Sequence, residues 1–202
     1  MKIGTEGTFV FNKNHGFITT ASQRESNLFR TRCYLVGHMQ YADGRDWRDY
    51  VSTEMEAMGI TVFNPYDKPF VKDVDEDEEA REKILKDMEN GHYNDVAKRM
   101  KQIRSYDLNL VDRSDFIIAH LLPEVASWGS AEELVTAVRM KKPVFVSMEG
   151  GKKKTPLWVM GMMPHHYIYD SVEDIVDMLK RINSGDKEID SDRWRLLRKE
   201  LR

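Results

Sequence analysis

Cys33 is the single cysteine in the sequence, so an intrachain disulfide is excluded and a cysteine-rich metal centre cannot form. It falls in an apolar run, where a small buried hydrophobe is expected rather than a reactive thiol. Long hydrophobic runs are missing too. The most apolar stretch, Phe116 to Leu122, stops at Pro123, far short of the roughly 20 residues that a membrane-spanning helix needs. No charge of one sign dominates: with 31 basic against 34 acidic residues and a net charge of -3, no overall positive field draws the chain onto a nucleic-acid backbone. A polymeric nucleic-acid partner is therefore disfavoured. An N-terminal apolar signal segment is not evident, and with the lone thiol this leads to the expectation of a soluble, cytoplasmic protein. Repeats and low-complexity tracts are absent as well.

The 202 residues are 41% hydrophobic and 32% charged, which excludes wholesale disorder and suits one domain with decorations. Residues 1–30 read as a peripheral extension, since Thr8-Phe9-Val10-Phe11 and Gly16-Phe17-Ile18-Thr19-Thr20 flank Asn12-Lys13-Asn14-His15 in the pattern of a hairpin. The main domain is expected over residues 31–183. Its strand-like runs are Cys33 to Gly37, Ile60 to Pro65, Asp115 to Leu122, Val144 to Met148 and His166 to Tyr169. Helical spacing covers 46–58 with Gly59 as the stop, then 107–113, 131–140 and 171–182. A charge-dense stretch at about 70–105 reads as an insertion of one or two surface helices broken at Gly91, a solvated face or a lid over a pocket. The tail, 184–202, has amphipathic spacing around Ile189, Trp194, Leu196, Leu197 and Leu201, suited to docking on the body or on another subunit.

Strands alternating with helices mean a doubly wound, flavodoxin- or Rossmann-like parallel sheet of about five strands with helices on both faces, because parallel neighbours need crossover connections. Ligands of such sheets collect beyond the carboxyl ends of the strands. Gly37, Asp107 and Glu133 are expected to mark that rim. With Ser130 as N-cap, Glu133 takes the third helical position, a capping box. The helix dipole and unpaired N–H groups there favour an ionised carboxylate, the form that attack on an anomeric carbon requires. Capping alone would equally account for a glutamate in that place.

Three features occur in order: Tyr34-Leu35-Val36-Gly37 as a first strand, Asp107-Leu108-Asn109 at a helix start, and Glu133-Leu134 after the loop with Gly129-Ser130. Asn64-Pro65 after the second strand and Lys142-Pro143-Val144 before the fourth add to them. In this order they resemble the nucleoside 2-deoxyribosyltransferases and the related nucleoside 5′-monophosphate N-glycosidases, over roughly residues 32 to 150 less the charged insertion. The resemblance implies Glu133 as the nucleophile that attacks the sugar C1′ and forms a covalent glycosyl-enzyme. It implies Asp107 as the group that orients the nucleoside and handles the proton of the leaving base. Water resolves the intermediate in the hydrolases and a second base in the transferases. The expected substrate-binding residues are Gly37, His38, Met39 and Arg45 after the first strand, Asn64 after the second, and Ser127, Gly129 and Ser130 before the nucleophile. No cofactor and no metal is implied, the partner is a small-molecule nucleoside or nucleotide, and a homo-oligomer, dimer or higher, is expected because family members complete their sites across subunits.

Six residues before the nucleophile the transferases tend to carry an aspartate, whereas this chain has Ser127, as the monophosphate N-glycosidases do. A hydroxyl and loop N–H groups suit a phosphate that a carboxylate would repel. Those hydrolases also carry a serine just after the first-strand glycine, where this chain has His38; His38 and Arg45 supply positive donors instead. Other motifs are weaker. His92, His120, His165 and His166 match no zinc spacing, Gly150 to Thr155 lacks Walker spacing and reads as a solvated basic turn, and Trp128 and Trp158 suit packing or stacking on a base. Met160, Met162 and Met163 read as adaptable packing residues, at a subunit contact or within the chain. Two rival readings stand beside the enzyme: a non-catalytic nucleotide-binding or sensing module on the same fold, and a phosphoribohydrolase of the cytokinin-activating type, for which the loop is too poor in glycine.

Overall fold

The structure is a computed structural model that describes residues 9–12, 16–19, 26–39, 43–67, 78–125 and 127–186. The expected hairpin turn at 13–15, residues 40–42 of the first loop, the start of the charged stretch up to residue 77 and the tail from 187 onward lie outside the described residues.

The N-terminal pattern gives β1 (Phe9–Asn12) and β2 (Gly16–Thr19), paired antiparallel as a separate two-stranded sheet. The main sheet has β3 (Arg32–Gly37), β4 (Thr61–Phe63), β5 (Phe116–Leu121), β6 (Val144–Met148) and β7 (Ile168–Tyr169), all parallel, in the order β4-β3-β5-β6-β7. Its central strands are continuous apolar runs, as expected where both faces are covered; from Cys33 to Gly37 every residue is buried, and so is every residue of β6. Burial pushes the Cys33 thiol well above its ordinary value, as befits an inert packing residue.

Helices α1 (Asp43–Ala57) and α6 (Val172–Asn183) pack together on one side of the sheet. The other side carries α3 (Tyr93–Arg113) and α4 (Trp128–Arg139), and α3 is preceded by α2 (Glu78–Glu89). A short α5 (Leu157–Met162), absent from the sequence reading, precedes β7. The fold is thus a doubly wound α/β sheet. Ser171 caps α6 by accepting the Asp174 N–H at 3.1 Å, and Val172, Ile175, Val176, Leu179 and Ile182 form its buried stripe.

The helix expected over 107–113 is the last part of α3, which runs unbroken from Tyr93. The reason is visible in its residues: Val96, Ile103, Leu110 and Val111 continue one buried stripe, and neither glycine nor proline interrupts it. The break comes earlier, at Gly91 with φ +78°. Asp107 therefore stands within a helix rather than at a strand end. This helix touches both α4 and β3, so it serves as the crossover between β4 and β5.

Strand order reverses between β3 and β5, because the chain first adds β4 on one side of β3 and then crosses to build the rest on the other. That topological switch point leaves a crevice at the carboxyl ends. Register sets Gly37, His120, Ser147 and Tyr169 in one row across four strands close to that edge.

At the opposite end of the sheet, Gly59 closes α1 with φ +75° and its carbonyl accepts the Arg30 N–H at 2.9 Å. A Cβ there would lie 2.4 Å from the exposed Phe29 ring, which can shift, whereas the left-handed backbone cannot. We expect Gly59→Ala to lose about 1–2 kcal/mol, read from urea unfolding as a lower midpoint at unchanged slope.

Candidate functional site

Helix α4 positions the glutamate, and it starts one turn earlier than the sequence reading has it. Ser127, not Ser130, is the N-cap: its Oγ accepts the Ser130 N–H at 3.3 Å and its carbonyl accepts the Ala131 N–H at 3.0 Å. Its own hydroxyl donates to Ser130 Oγ at 2.9 Å. A serine cap is worth about 1 kcal/mol, enough to offset the roughly 0.5–1 kcal/mol that Gly129 costs in helical conformation. The expected capping box of Ser130 and Glu133 is therefore absent. Glu133 lies in the second turn, where the helix dipole has largely faded.

Its place is instead on the buried stripe Ser130, Glu133, Leu134 and Ala137. Glu133 is 9% exposed, and a buried carboxylate is tolerated only where polar partners replace water. One partner comes from the sheet: the Tyr34 hydroxyl of β3 donates to Glu133 Oε1 at 2.8 Å. The neighbouring Glu132 has the opposite fate. It turns outward and accepts from Arg104 Nε of α3 at 2.7 Å, and that hydrogen-bonded guanidinium holds its carboxyl below the usual range. Of two adjacent glutamates, one clasps helix to helix and the other faces inward.

Beside Glu133 lies a cavity of about 210 Å³ at the carboxyl end of β3, walled by α3 and the start of α4. Glu133, Asp107, Gly37, Met39, Ser127, Gly129 and Ser130 all line it, so seven of the expected site residues converge. Tyr34, Arg48, Pro65 and Met100 complete its walls alongside Leu35. A second cavity of about 450 Å³ shares Ser127 and Ser130 with it, and His38 lines this one. Arg45 and Asn64 line neither. Arg45 is exposed, its guanidinium carbon 4.5 Å from the Tyr66 ring centre. Buried Asn64 turns its Oδ1 back to accept the Tyr66 N–H at 3.2 Å, building the turn rather than facing the cavity.

Arg48 and Tyr34 also line the cavity, although the sequence motifs alone do not single them out as site residues. Arg48 is fully buried, with its guanidinium 4.5 Å from the Trp47 ring centre and its Nη1 donating to the His38 carbonyl at 3.0 Å and to the Gly44 carbonyl. The signal for it was present, since Arg48 shares a helical face with Val51 and Met55 at spacings of three and seven, and a cation on an apolar stripe has a reason to be there. Tyr34 gave no such signal, because a tyrosine in a buried strand is ordinary. Glycine at 37 lets the His120 backbone, Trp47 and Arg48 approach: a Cβ would stand 2.8 Å from the His120 carbonyl oxygen, 3.0 Å from Trp47 Cζ2 and 3.3 Å from Arg48 Nη2.

No family model matches the chain, and no curated protein matches it. Solved structures do. The chain is similar to a 2-deoxyribosyltransferase from Bacillus psychrosaccharolyticus, with 18% identity and a TM-score of 0.40 over 58% of this chain and 72% of that one. It is similar to the CMP N-glycosidase BcmB of Clostridium botulinum, with 15% identity and a TM-score of 0.43 over 74% of this chain and 98% of that one. A conserved protein from Enterococcus faecalis V583 gives 15% identity and a TM-score of 0.47 over 76% and 99%.

Among the described residues, no three histidine, cysteine or carboxylate side chains converge as a metal site, and no helix is long and apolar enough to cross a membrane. What the cavity does assemble is two carboxylates, a buried guanidinium, a phenol and two hydroxyls.

The Tyr34–Glu133 contact is measurable. A double-mutant cycle with Tyr34→Phe and Glu133→Gln, read by urea unfolding, is expected to give a coupling of about 1.5–3 kcal/mol, the range for a hydrogen bond to a charged group. A coupling near zero would show that the two side chains do not hold each other.

Proposed function

We propose that this protein cleaves or transfers the N-glycosidic bond of a nucleoside or nucleoside 5′-monophosphate through a covalent glycosyl-Glu133 intermediate. The observation that carries the reading is that Glu133 and Asp107, far apart in sequence and on different helices, line one small cavity at the switch point of the sheet. A buried carboxylate oriented by a tyrosine hydroxyl is costly to the fold, and such a cost is the usual mark of a working group.

In the proposed chemistry a Glu133 carboxylate oxygen attacks C1′ as the bond from C1′ to the base nitrogen breaks. The bonding pair leaves with the base, and Asp107 delivers a proton to it. Positive charge that develops on the sugar is met by the carboxylates around it. Water then attacks C1′, the ester bond to Glu133 breaks, and the water proton passes to Asp107; a second base in place of water gives transfer. Hydrogen-bond donors at the start of α4, with the hydroxyls of Ser127 and Ser130, suit the 5′ oxygen or phosphate of the substrate. Arg48 adds a positive charge to the same wall, buried where water screens it little.

The test is release of free base, followed by chromatography, from a panel of nucleosides, deoxynucleosides and their monophosphates. Glu133→Ala is expected to lower the rate about a thousandfold or more, and Asp107→Asn by about 10²–10⁴-fold. Equal rates for wild type and Glu133→Ala would remove Glu133 from the mechanism. Tight binding without base release by the wild type would instead favour the non-catalytic nucleotide-binding module.

A further inference from the structure

We propose that the larger cavity is a subsite for a bulky apolar group carried on the base, so that the protein selects nucleosides or nucleotides with an enlarged apolar base over unmodified ones. This rests on the reading of Glu133 as the nucleophile of glycosidic cleavage.

Three observations carry it. First, size: the cleft at Glu133 holds about 210 Å³, whereas the chamber beyond Ser127 and Ser130 holds about 450 Å³, and ligand pockets run to roughly 300–1,000 Å³. The cleft suits a sugar, and most of the ligand's volume belongs in the chamber. Second, lining: the chamber walls are apolar, with Leu121, Val125, Val135, Val159 and Met162 among them, and among the described residues the polar side chains at it are His38, His120, Ser127 and Ser130 besides the two tryptophan indoles. An unmodified base entering it gives up water at several donors and acceptors with few replacements. An apolar substituent gives up nothing. Third, the rim: Trp128 and Trp158, which also line the chamber, are 89% and 81% exposed. Large aromatic faces beside an apolar hollow are surface that a flat apolar ligand would bury.

His120 gives the chamber a fixed polar edge. Its Nδ1 lies 2.6 Å from Ser147 Oγ, and Ser147 is itself fully buried, while Nε2 lies 3.7 Å from Glu149 Oε2. The imidazole is held by Ser147 on β6 and by Glu149 just beyond it, a fixed polar edge in an otherwise apolar wall.

The experiment compares matched pairs: 2′-deoxyadenosine with its N6-benzyl derivative and 2′-deoxycytidine with its N4-benzyl derivative, each as nucleoside and as 5′-monophosphate. For the base type the enzyme accepts, the benzyl compound is expected to have a kcat/KM about tenfold to a hundredfold higher, mainly through KM, as burial of a phenyl-sized group implies. Trp158→Ala, at an exposed position that does not endanger folding, and Met162→Trp, which fills the chamber, are both expected to pull this ratio towards one. Cleavage of unmodified substrates with the benzyl compounds equal or worse overturns the subsite and leaves the glycosidic reading intact. If nothing is cleaved, binding of free N6-benzyladenine against adenine, followed by tryptophan fluorescence, decides: preference for the benzyl base that Met162→Trp abolishes keeps the subsite while the glycosidic reading falls, and no preference removes both. A shift from dimer to monomer in Trp158→Ala by sedimentation, with an unchanged ratio, would assign the rim to a second copy of the chain and overturn the proposal.

Discussion

Parallel pairing of β3 with β5 is the constraint on which the rest of the structure depends. Two parallel neighbours cannot be joined by a hairpin, so the chain between Gly37 and Phe116 must travel over the faces of the sheet, and it uses the journey to lay down α1, β4, α2 and α3. Because β4 is added on the far side of β3, the sheet then grows in the opposite direction. At such a reversal the connections leave neighbouring strands in opposite directions, which opens a crevice at their carboxyl ends. Gly37 at the edge of one strand and His120 in register beside it on the other mark its floor.

The crevice is polar in an expensive way. Glu133 and Arg48 are both withdrawn from water, and each would be replaced without loss of packing by an apolar side chain of similar size if stability alone were at stake. The fold supports them with contacts that reach between layers. Tyr34 reaches from the sheet to Glu133, and Arg48 reaches from α1 to the carbonyl of His38, which bounds the loop after β3. Outside the cleft, Arg104 and Glu132 join α3 to α4, so the two helices that carry Asp107 and Glu133 are clasped to each other at the surface. An exposed pair of this kind adds little stability; its worth here is in setting the relative position of the helices whose inner faces form the wall.

Beside the cleft, the larger chamber follows another rule. Its walls come from the ends of β5 and β6, the first two turns of α4 and the segment around α5, which is the region where the strand-and-helix alternation is least regular. Short, irregular connections at the carboxyl edge of a doubly wound sheet are where specificity is usually built, since they change without disturbing the sheet.

Much of this was legible in the residues. Five apolar runs, bounded by Gly37, Pro65, Pro123 and similar punctuation, set the strands, and the alternation with helical spacing set a parallel sheet, because period and burial leave a direct trace in the order of side chains. The expectation that Gly37, Asp107 and Glu133 mark one rim followed from the same argument; the three do line one cavity, with Asp107 standing inside a helix rather than at a strand end. Other features were decided only by the assembled structure. Serines stand at both 127 and 130, and local spacing favours the second as the cap; which one starts α4 depends on what the helix packs against, and the observed cap at Ser127 puts Glu133 in a buried second turn instead of the first turn. A local reading separates the charged stretch ending at about 105 from a helix over 107–113, while the buried stripe that makes them one helix exists only in packing against α2, α4 and β3. Tyr34 and Arg48 belong to the site through contacts across 99 residues in one case and within a loop folded over its own helix in the other. Periodicity records which face of an element is buried, but the identity of the partner across that face is a property of three dimensions, and it is the partner that turns a buried carboxylate into a candidate nucleophile.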